Sequence, residues 1–366
     1  MIPLPDGRQA GVLTESGEAP PASLAAVDDS LGADAALRRL RQGETLIWTG
    51  DFPNGRHLLA AMKRRLGRTG PADAAKSPAA LWRDDRARTG RTAEVLGRLL
   101  VVIEPDGRLM TRRAPQSEVA VRLAWGLTDH PRIVSLNNLL GALSAAEWTR
   151  KGIEIEGLGG RLTPRYGVFS PTRSAYVELA RRLDVSGRSL LDVGCGTGIL
   201  AFVLLQAGAR SAVGTDLEPR AIECARENAE RLGLSDRFEA CEADLFPAGV
   251  RADRIIFNAP WMPEAPRTRL DRSVFDEAGG TLARFLTQAP RHLEPGGKAA
   301  LILSDLPERL GLRDPGAVEA LASEAGLRVE QHHEVAASQR RSRQVSDPLH
   351  GPRAAERVRM FVLGRA

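Results

Sequence analysis

The sequence predicts an α/β protein whose second half forms a doubly wound, mostly parallel sheet. Three observations support this. The chain has 366 residues, enough for two or three domains. In its second half, short apolar strands alternate with helical segments, the pattern of repeated βα units. The last two predicted strands follow each other without a predicted helix, so we expect that pair to be antiparallel.

Composition excludes several classes of protein. Apolar residues make up 43% of the chain and charged residues 27%, a globular composition that excludes disorder throughout. Charges interrupt every apolar segment and no secretory leader is visible, so we expect a cytoplasmic protein without membrane contact. The three cysteines are odd in number and lack metal-ligand spacing, which indicates reduced thiols and no metal site.

The sequence predicts that residues 1–155 form a smaller α+β N-terminal domain, which serves substrate recognition or dimerisation. Residues 1–30 are rich in Pro, Gly, Ser and Ala, which indicates a mobile arm. Leu99–Glu104 and Arg108–Arg113 flank a Pro-Asp-Gly turn and predict a hairpin. The other predicted elements of this domain are helices at Ser30–Arg41, His57–Leu66, 79–98 and Ser117–Leu127, and a strand at Glu44–Thr49.

Residues 156–366 form the second predicted domain, whose strands are short and apolar. Seven strands are predicted, at Ser189–Val193, Ser211–Thr215, Phe238–Glu242, Arg254–Asn258, Ala299–Leu303, Val329–Ala336 and Arg357–Leu363. Helices are predicted from Gly198 and at 219–232, 279–292 and 315–325. The order of these elements predicts that ligands bind where the parallel strands end.

The strongest motif is the glycine-rich turn in residues 190–198, with the sequence LLDVGCGTG, which ends the first of these strands and begins a helix. Glycines there let the backbone pass close to a ligand. Asp192 precedes them, where a carboxylate suits a ligand amine better than a pyrophosphate. Asp216 ends the second strand, where it can accept both hydroxyls of a ribose, and Asp244 follows the third, near the place of an adenine amino group.

This arrangement resembles the class I S-adenosylmethionine (SAM)-dependent methyltransferases, over about residues 160–366. The resemblance implies a Rossmann-like seven-stranded sheet with an antiparallel last strand, and SAM as cofactor. It also implies that Asp192 anchors the SAM amino group, that Asp216 holds the ribose and that Asp244 contacts the adenine. The further residues that the resemblance places at SAM are Phe169, Thr172, Arg173, Gly194, Cys195, Gly196, Gly198, Leu217, Leu245 and Asn258.

Asn258-Ala259-Pro260-Trp261 ends the fourth strand and resembles the Asn-Pro-Pro-Tyr motif of enzymes that methylate DNA adenine, protein glutamine or rRNA guanine. The lone pair of such a nitrogen is delocalised, so two acceptors for its N–H groups are needed to hold it in line with the methyl donor. The resemblance implies the Asn258 side chain and the Ala259 carbonyl as acceptors, and Trp261 as an aromatic platform. Ala259 replaces the usual proline, which gives a looser turn.

Two loops bear on the choice of acceptor. Residues 262–280 carry Asp271, Asp276 and Glu277, which either meet a cationic acceptor or are solvated. The predicted turn at 337–356 carries four arginines, and the residues after 335 hold seven Lys or Arg against two Asp or Glu. These arginines pair with RNA phosphates, with an acidic small molecule or with water. They are Arg340, Arg341, Arg343 and Arg353.

The sequence thus predicts a SAM-dependent N-methyltransferase that acts on an amino or amide nitrogen of a planar group. A macromolecular acceptor, an rRNA base or a protein glutamine, is slightly preferred. The alternative is a small-molecule N-methyltransferase acting on an amide, amine or guanidinium. The acceptor (RNA, protein or small molecule) and a homodimer both stay open, and no metal is implied.

Overall fold

The computed structural model describes residues 1–14, 20–67, 75–171, 174–337, 344–345 and 347–366. It divides the chain into two units, Met1–Ala75 with Trp82–Glu147, and Lys76–Leu81 with Trp148–Ala366. Across the described ranges, no helix is both long and apolar enough to span a bilayer.

The first unit is built on a six-stranded sheet of order β1-β2-β6-β5-β4-β3. Its strands are β1 (Ile2–Pro3), β2 (Gln9–Val12), β3 (Ala25–Val27), β4 (Leu46–Trp48), β5 (Leu99–Ile103) and β6 (Arg132–Ser135). Its helices are α1 (Ala33–Arg41), α2 (Phe52–Leu66), α3 (Pro78–Gly97), α4 (Glu118–Trp125) and α5 (Leu136–Lys151), of which α3 begins and α5 ends in the other unit.

Two parts of this unit differ from the sequence-based expectation. Within the first 30 residues, the described part contributes three strands to the sheet, whereas we predicted a mobile or loosely docked arm. The predicted hairpin does not form: β5 pairs with β4 and β6, and a single bridge joins Ile103 to Leu109. Neighbouring strands therefore occupy both edges of β5, and all five of its residues are buried.

The second unit is built on a seven-stranded sheet of order β11-β10-β9-β12-β13-β15-β14. The predicted seven-stranded sheet is confirmed, and β15 is antiparallel to both of its neighbours, as expected for the last strand. These strands are β9 (Ser189–Val193), β10 (Ser211–Asp216), β11 (Phe238–Glu242), β12 (Ala252–Asn258), β13 (Leu293–Ser304), β14 (Leu327–Ala336) and β15 (Arg357–Arg365). A two-stranded ribbon, β7 (Ile153–Glu154) with β8 (Arg161–Leu162), precedes them.

Helices cover both faces of this sheet, because alternate strand residues point into two separate apolar clusters. Leu190 and Ile256 belong to one cluster, and their neighbours Leu191 and Ile255 to the other. The helices are α6 (Ala175–Ala180), α7 (Ile199–Gln206), α8 (Pro219–Arg231), α9 (Gly280–His292), α10 (Leu306–Leu310), α11 (Ala317–Glu324) and α12 (His350–Ala354). Helix α7 is apolar on all sides and almost wholly buried, as expected for a core helix.

The sheet topology brings the carboxyl ends of β9, β10 and β12 to the same edge of the sheet, with the predicted site residues Asp192, Asp216 and Asn258. Strand β9 lies between β10 and β12, and all three are parallel. Asp192 is opposite Gly214 of β10 and Ile256 of β12, so the strands end side by side. The strand order reverses between β9 and β12, which is where ligands bind in sheets of this kind.

Candidate functional site

A cavity of about 520 Å³ lies at this edge, and we call it the strand-end cavity. It contains most of the residues that the sequence predicted for SAM and for the acceptor. Those that line it are Phe169, Asp192, Gly194, Cys195, Gly196, Asp216, Leu217, Asp244, Leu245, Asn258 and Pro260. Gly198, Ala259 and Trp261 do not line it, and the predicted Thr172 and Arg173 lie outside the described residues.

The glycine-rich turn connects β9 to α7 in a conformation that needs glycine. Gly194, Gly196 and Gly198 have φ angles of +64°, +55° and +82°. A Cβ at Gly198 would clash with the Phe202 ring, so this glycine serves close packing. A Cβ at Gly196 would meet open space, so the backbone there faces the cavity without a side chain between. The Cys195 N–H donates to the Thr215 carbonyl at 2.8 Å, which ties the turn to β10.

Asp192 is a buried carboxyl in the cavity wall, with 1% of its surface exposed. Its Oδ2 accepts a hydrogen bond from the Ala201 N–H at 3.0 Å. Burial is the main cause that raises the pKa of Asp192 to about 7; the hydrogen bond from Ala201 opposes the rise, and the negative charge of Asp216 adds to it. A positively charged ligand group would therefore stabilise the ionised form of this carboxyl.

Asp216, at the end of β10, accepts two backbone hydrogen bonds, from Gly196 to Oδ2 and from Glu218 to Oδ1, each at 3.0 Å. Burial raises the pKa of Asp216 above its ordinary value, although these two hydrogen bonds oppose the rise. Each carboxylate oxygen can accept more than one hydrogen bond, so both remain able to bind a diol. Next to it, Leu217 is 49% exposed and lines the cavity as an apolar surface.

Asp244 has a partner that the sequence did not reveal. Arg284 of α9 binds it through both terminal guanidinium nitrogens, at 2.6 and 3.1 Å. Leu245 has a φ of +68°, and its carbonyl accepts the Thr215 hydroxyl at 2.7 Å. The loop after β11 is therefore fixed at both residues, with the Asp244 carboxylate already engaged by a cation.

The Asn258–Trp261 turn leaves β12 at the carboxyl edge. The Ala259 N–H donates to the Ile302 carbonyl at 3.0 Å, and the Trp261 N–H donates to the Val274 carbonyl at 3.0 Å. Trp261 is half-buried against the apolar cluster behind the sheet. The predicted platform ring is therefore not part of the cavity wall, whereas Phe275 and Pro260 are.

The segment 262–280 presents arginines to the cavity, and the carboxylates Asp276 and Glu277 line it as well. Asp276 is buried and accepts the Thr281 and Leu282 N–H groups at 2.8 and 3.0 Å, so it caps α9. Asp271 accepts the Arg267 N–H at 3.0 Å. Arg269 and Arg272 line the cavity and approach Glu218 at 3.7 and 3.5 Å. Residue types alone gave no signal for these ion pairs, because a loop conformation brings them together.

The arginine-rich turn is only partly described. Arg340, Arg341 and Arg343 lie outside the described residues. Arg353 is 4% exposed and forms an ion pair with Asp347. This arginine therefore stabilises the connection before β15 and does not present a charge to a substrate.

A seven-stranded sheet of this order, with a glycine-rich turn after its first strand and carboxylates at the next strand ends, defines a class I methyltransferase domain. The family model of ribosomal protein L11 methyltransferase (PrmA) matches residues 170–259. A Methanocaldococcus jannaschii protein named "Putative protein N5-glutamine methyltransferase" is 32% identical over 161 residues, which are 42% of this chain and 80% of that protein. The chain belongs to the methyltransferase family of this archaeal relative, and the predicted enzyme class is confirmed.

Other similarities are shorter or more distant. The Escherichia coli ribosomal protein L11 methyltransferase is 42% identical over 88 residues, which are 24% of this chain and 30% of that protein. A methyltransferase structure from Pyrococcus furiosus has a TM-score of 0.41 at 16% identity, covering 63% of this chain and 99% of that one. The ribosomal protein L11 methylase structure from Lactobacillus delbrueckii subsp. bulgaricus has a TM-score of 0.36 at 18% identity, covering 51% and 75%.

Proposed function

We propose that the protein is a SAM-dependent N-methyltransferase that methylates the side-chain amide nitrogen of a glutamine in a protein acceptor. The observation that carries this proposal is the position of Asn258. Its half-buried side chain lines the same cavity as Asp192, Asp216 and the glycine-rich turn. The methyl donor and the acceptor nitrogen can therefore meet in this one cavity.

The cavity residues fit SAM. The backbone at Gly196 is open to the cavity, and Asp192 and Asp216 bring two carboxylates to its wall. Asp192 suits the amino group of SAM, and Asp216 suits the two ribose hydroxyls. Exposed Leu217 offers an apolar surface for the adenine. Bound SAM supplies a methyl group on a positively charged sulfur, which a nitrogen lone pair can attack.

Asn258 holds the acceptor nitrogen in this proposal. Within the described ranges, no hydrogen bond engages its side chain, so its amide oxygen is available to a substrate N–H. Holding that N–H orients the nitrogen and favours the positive charge that develops on it. Ala259 is fully buried and does not line the cavity, so the role of its carbonyl as second acceptor stays a prediction.

A glutamine amide is favoured over the other nitrogens by the archaeal relative, whose name specifies glutamine N5. The family match at residues 170–259, to a model named for methylation of a ribosomal protein, supports a protein acceptor. The cytoplasmic location and a homodimer remain predictions.

The first test separates the acceptor site from the SAM site with two variants. Asn258→Ala should lower turnover about a hundredfold, because a positioned hydrogen-bonding group is lost. It should leave the SAM Kd unchanged, because Asp192, Asp216 and the glycine-rich turn remain. Asp216→Ala should instead raise the SAM Kd at least about tenfold, since a charge-assisted contact is removed.

The activity assay combines methyl-labelled SAM with an extract of the source cells and with a synthetic glutamine-containing peptide. Calorimetry gives the SAM Kd, and a thermal melt checks that both variants fold. Label on a glutamine amide supports the proposal. Label in RNA or in small molecules contradicts the acceptor, and full turnover by Asn258→Ala contradicts the assigned role of Asn258.

A further inference from the structure

A partly buried cluster of charged side chains lies where β13 ends and β15 begins, close to the Asn258–Trp261 turn. We call it the arginine cluster, and none of its members entered the predicted site. It consists of Asp305, Glu308, Arg309, Arg313 and Arg359. Asp305 is 1% exposed and pairs with Arg309 and Arg359, whose side chains are 33% and 26% exposed, so the cluster extends from the interior towards the surface.

Arg313 is the member that reaches the acceptor side of the fold. It is 11% exposed and pairs with Glu308, itself 9% exposed, at 3.1 Å. One terminal nitrogen donates to the Ser304 carbonyl at 3.1 Å. The other donates to the Trp261 carbonyl at 3.5 Å. A single guanidinium thus joins the end of β13, a carboxylate of α10 and the last residue of the Asn258–Trp261 turn.

The second residue of the turn is alanine, and contacts with neighbouring segments hold the backbone at this position. Proline would fix the backbone φ angle at this position, and Ala259 does not. Hydrogen bonds take its place: Ala259 is held to Ile302 at the start of the turn, and Trp261 is held to Val274 by its N–H. The bond from Arg313 engages the backbone carbonyl of Trp261, so both backbone polar groups of that residue are tied to neighbouring segments.

We propose that Arg313 is a positioning residue for methyl transfer, which fixes the Asn258–Trp261 turn so that Asn258 holds the acceptor nitrogen in line with the methyl donor. This inference rests on the proposed function. The planar fork of an arginine can bind two carbonyls and a carboxylate at once, whereas a lysine ammonium cannot span these three directions. Because Asp192 and Asp216 lie on β9 and β10, the role of Arg313 concerns the acceptor and not SAM.

The test compares Arg313→Gln with Arg309→Gln in the full-length protein. Arg309 belongs to the same cluster, pairs with Asp305 and contacts no described residue of the turn, which makes it the matched control. Arg313→Gln should lower kcat about tenfold to a hundredfold, since misplacement of a reacting group by about 1 Å has effects of this size. The SAM Kd should stay within about twofold, and Arg309→Gln should keep the wild-type kcat.

Two further variants keep the test decisive. Arg313→Lys retains the charge opposite Glu308 and should recover part of the lost kcat. The pair Glu308→Gln with Arg313→Gln removes both buried charges, so it should fold even where Arg313→Gln alone does not. That pair should show the same fall in kcat with an unchanged SAM Kd.

The assay uses methyl-labelled SAM with the glutamine peptide, and cell extract in parallel. The inference is overturned by equal kcat values for the Arg313→Gln and Arg309→Gln variants. A parallel rise in the SAM Kd overturns it as well. Failure of the proposed function gives a different result, because the wild-type enzyme then labels the extract but not the glutamine peptide. In that case the Arg313→Gln and Arg309→Gln variants are compared by their rates of labelling of the extract.

Discussion

The carboxyl of Asp192 shows how burial in the strand-end cavity prepares a single residue for its ligand. Removal from water disfavours the charged form, which raises the pKa to about 7. A ligand ammonium group favours the ionised form. The pKa of the folded state lies above the ordinary value of 3.8, so ionisation of Asp192 costs stability progressively as pH rises from about 4 to about 7.

SAM binding should therefore strengthen as pH rises through about 7 and level off near about pH 8, where this carboxyl is almost fully ionised. At pH 6 only about a tenth of a carboxyl with a pKa of about 7 is ionised, so the affinity should be about tenfold weaker than at the plateau. Calorimetric titrations of SAM between about pH 5.5 and pH 8 measure this dependence.

Asp192→Asn is the variant that tests the assignment to this residue. Its side-chain oxygen can still accept the Ala201 N–H, while the titrating group is gone. The pH dependence of the SAM Kd should disappear, with a weaker plateau. Glu277→Gln, an exposed position on the same cavity, should keep the wild-type profile. An unchanged profile in Asp192→Asn would show that another group controls it.

At the scale of elements, the beginning of α9 explains why Asp276 is buried. Its two carboxylate oxygens accept the first free N–H groups of that helix, from Thr281 and Leu282. Asp276→Ala should lower the free energy of unfolding by about 1–2 kcal/mol, as expected for the loss of a helix cap. Urea denaturation measures this difference.

The neighbouring position is the control for this prediction. Glu277→Ala removes an exposed carboxylate one residue away and should change the unfolding free energy by less than about 0.5 kcal/mol. Equal effects at both positions would contradict the capping role. An Asp276→Ala protein as stable as the wild type would contradict it as well.

The elements of the second unit were predictable because their signals are local. Apolar runs such as Arg254–Asn258 and the glycines after Asp192 determine where strands end, and parallel strands then bring those ends together. The first unit lacked such signals. Its strands β1 and β3 have two and three residues, and their pairing depends on partners distant in the chain. The hairpin prediction failed for the same reason, since β6 occupies the edge of β5.

The site was predictable to the same extent. Asp192, Asp216 and Asn258 stand at strand ends and line the strand-end cavity. The partners of Glu218 and Asp244 come from the segment after Trp261 and from α9, and only the folded chain brings them close. Trp261 carried the right residue type for a platform, but the hydrogen bond to Val274 and the apolar cluster direct it away from the cavity wall.

At the scale of the whole molecule, the two units separate the predicted tasks. The residues that line the strand-end cavity run from Gly167 to Arg284, all within the second unit. The first unit has its own sheet and apolar core, in which Leu46, Leu99 and Leu136 are fully buried. Substrate recognition or dimerisation remains the predicted role of this unit.

A fragment of residues 148–366, the second unit without its short segment Lys76–Leu81, should therefore bind SAM with a Kd within about threefold of that of the full chain, because a unit with its own core can fold alone. Beginning at residue 148 leaves out Leu136 and Leu139 of α5, which belong to the core of the first unit. If the first unit recognises the acceptor, the fragment should methylate a short glutamine peptide at the wild-type rate. The macromolecular acceptor in the cell extract should then be labelled at least about tenfold more slowly, since contacts away from the reacting centre are lost.

Light scattering on both proteins tests the alternative role of the first unit, dimerisation, because loss of a dimer would halve the number of chains per particle. A fragment that melts cooperatively but fails to bind SAM would show that the SAM site depends on the first unit.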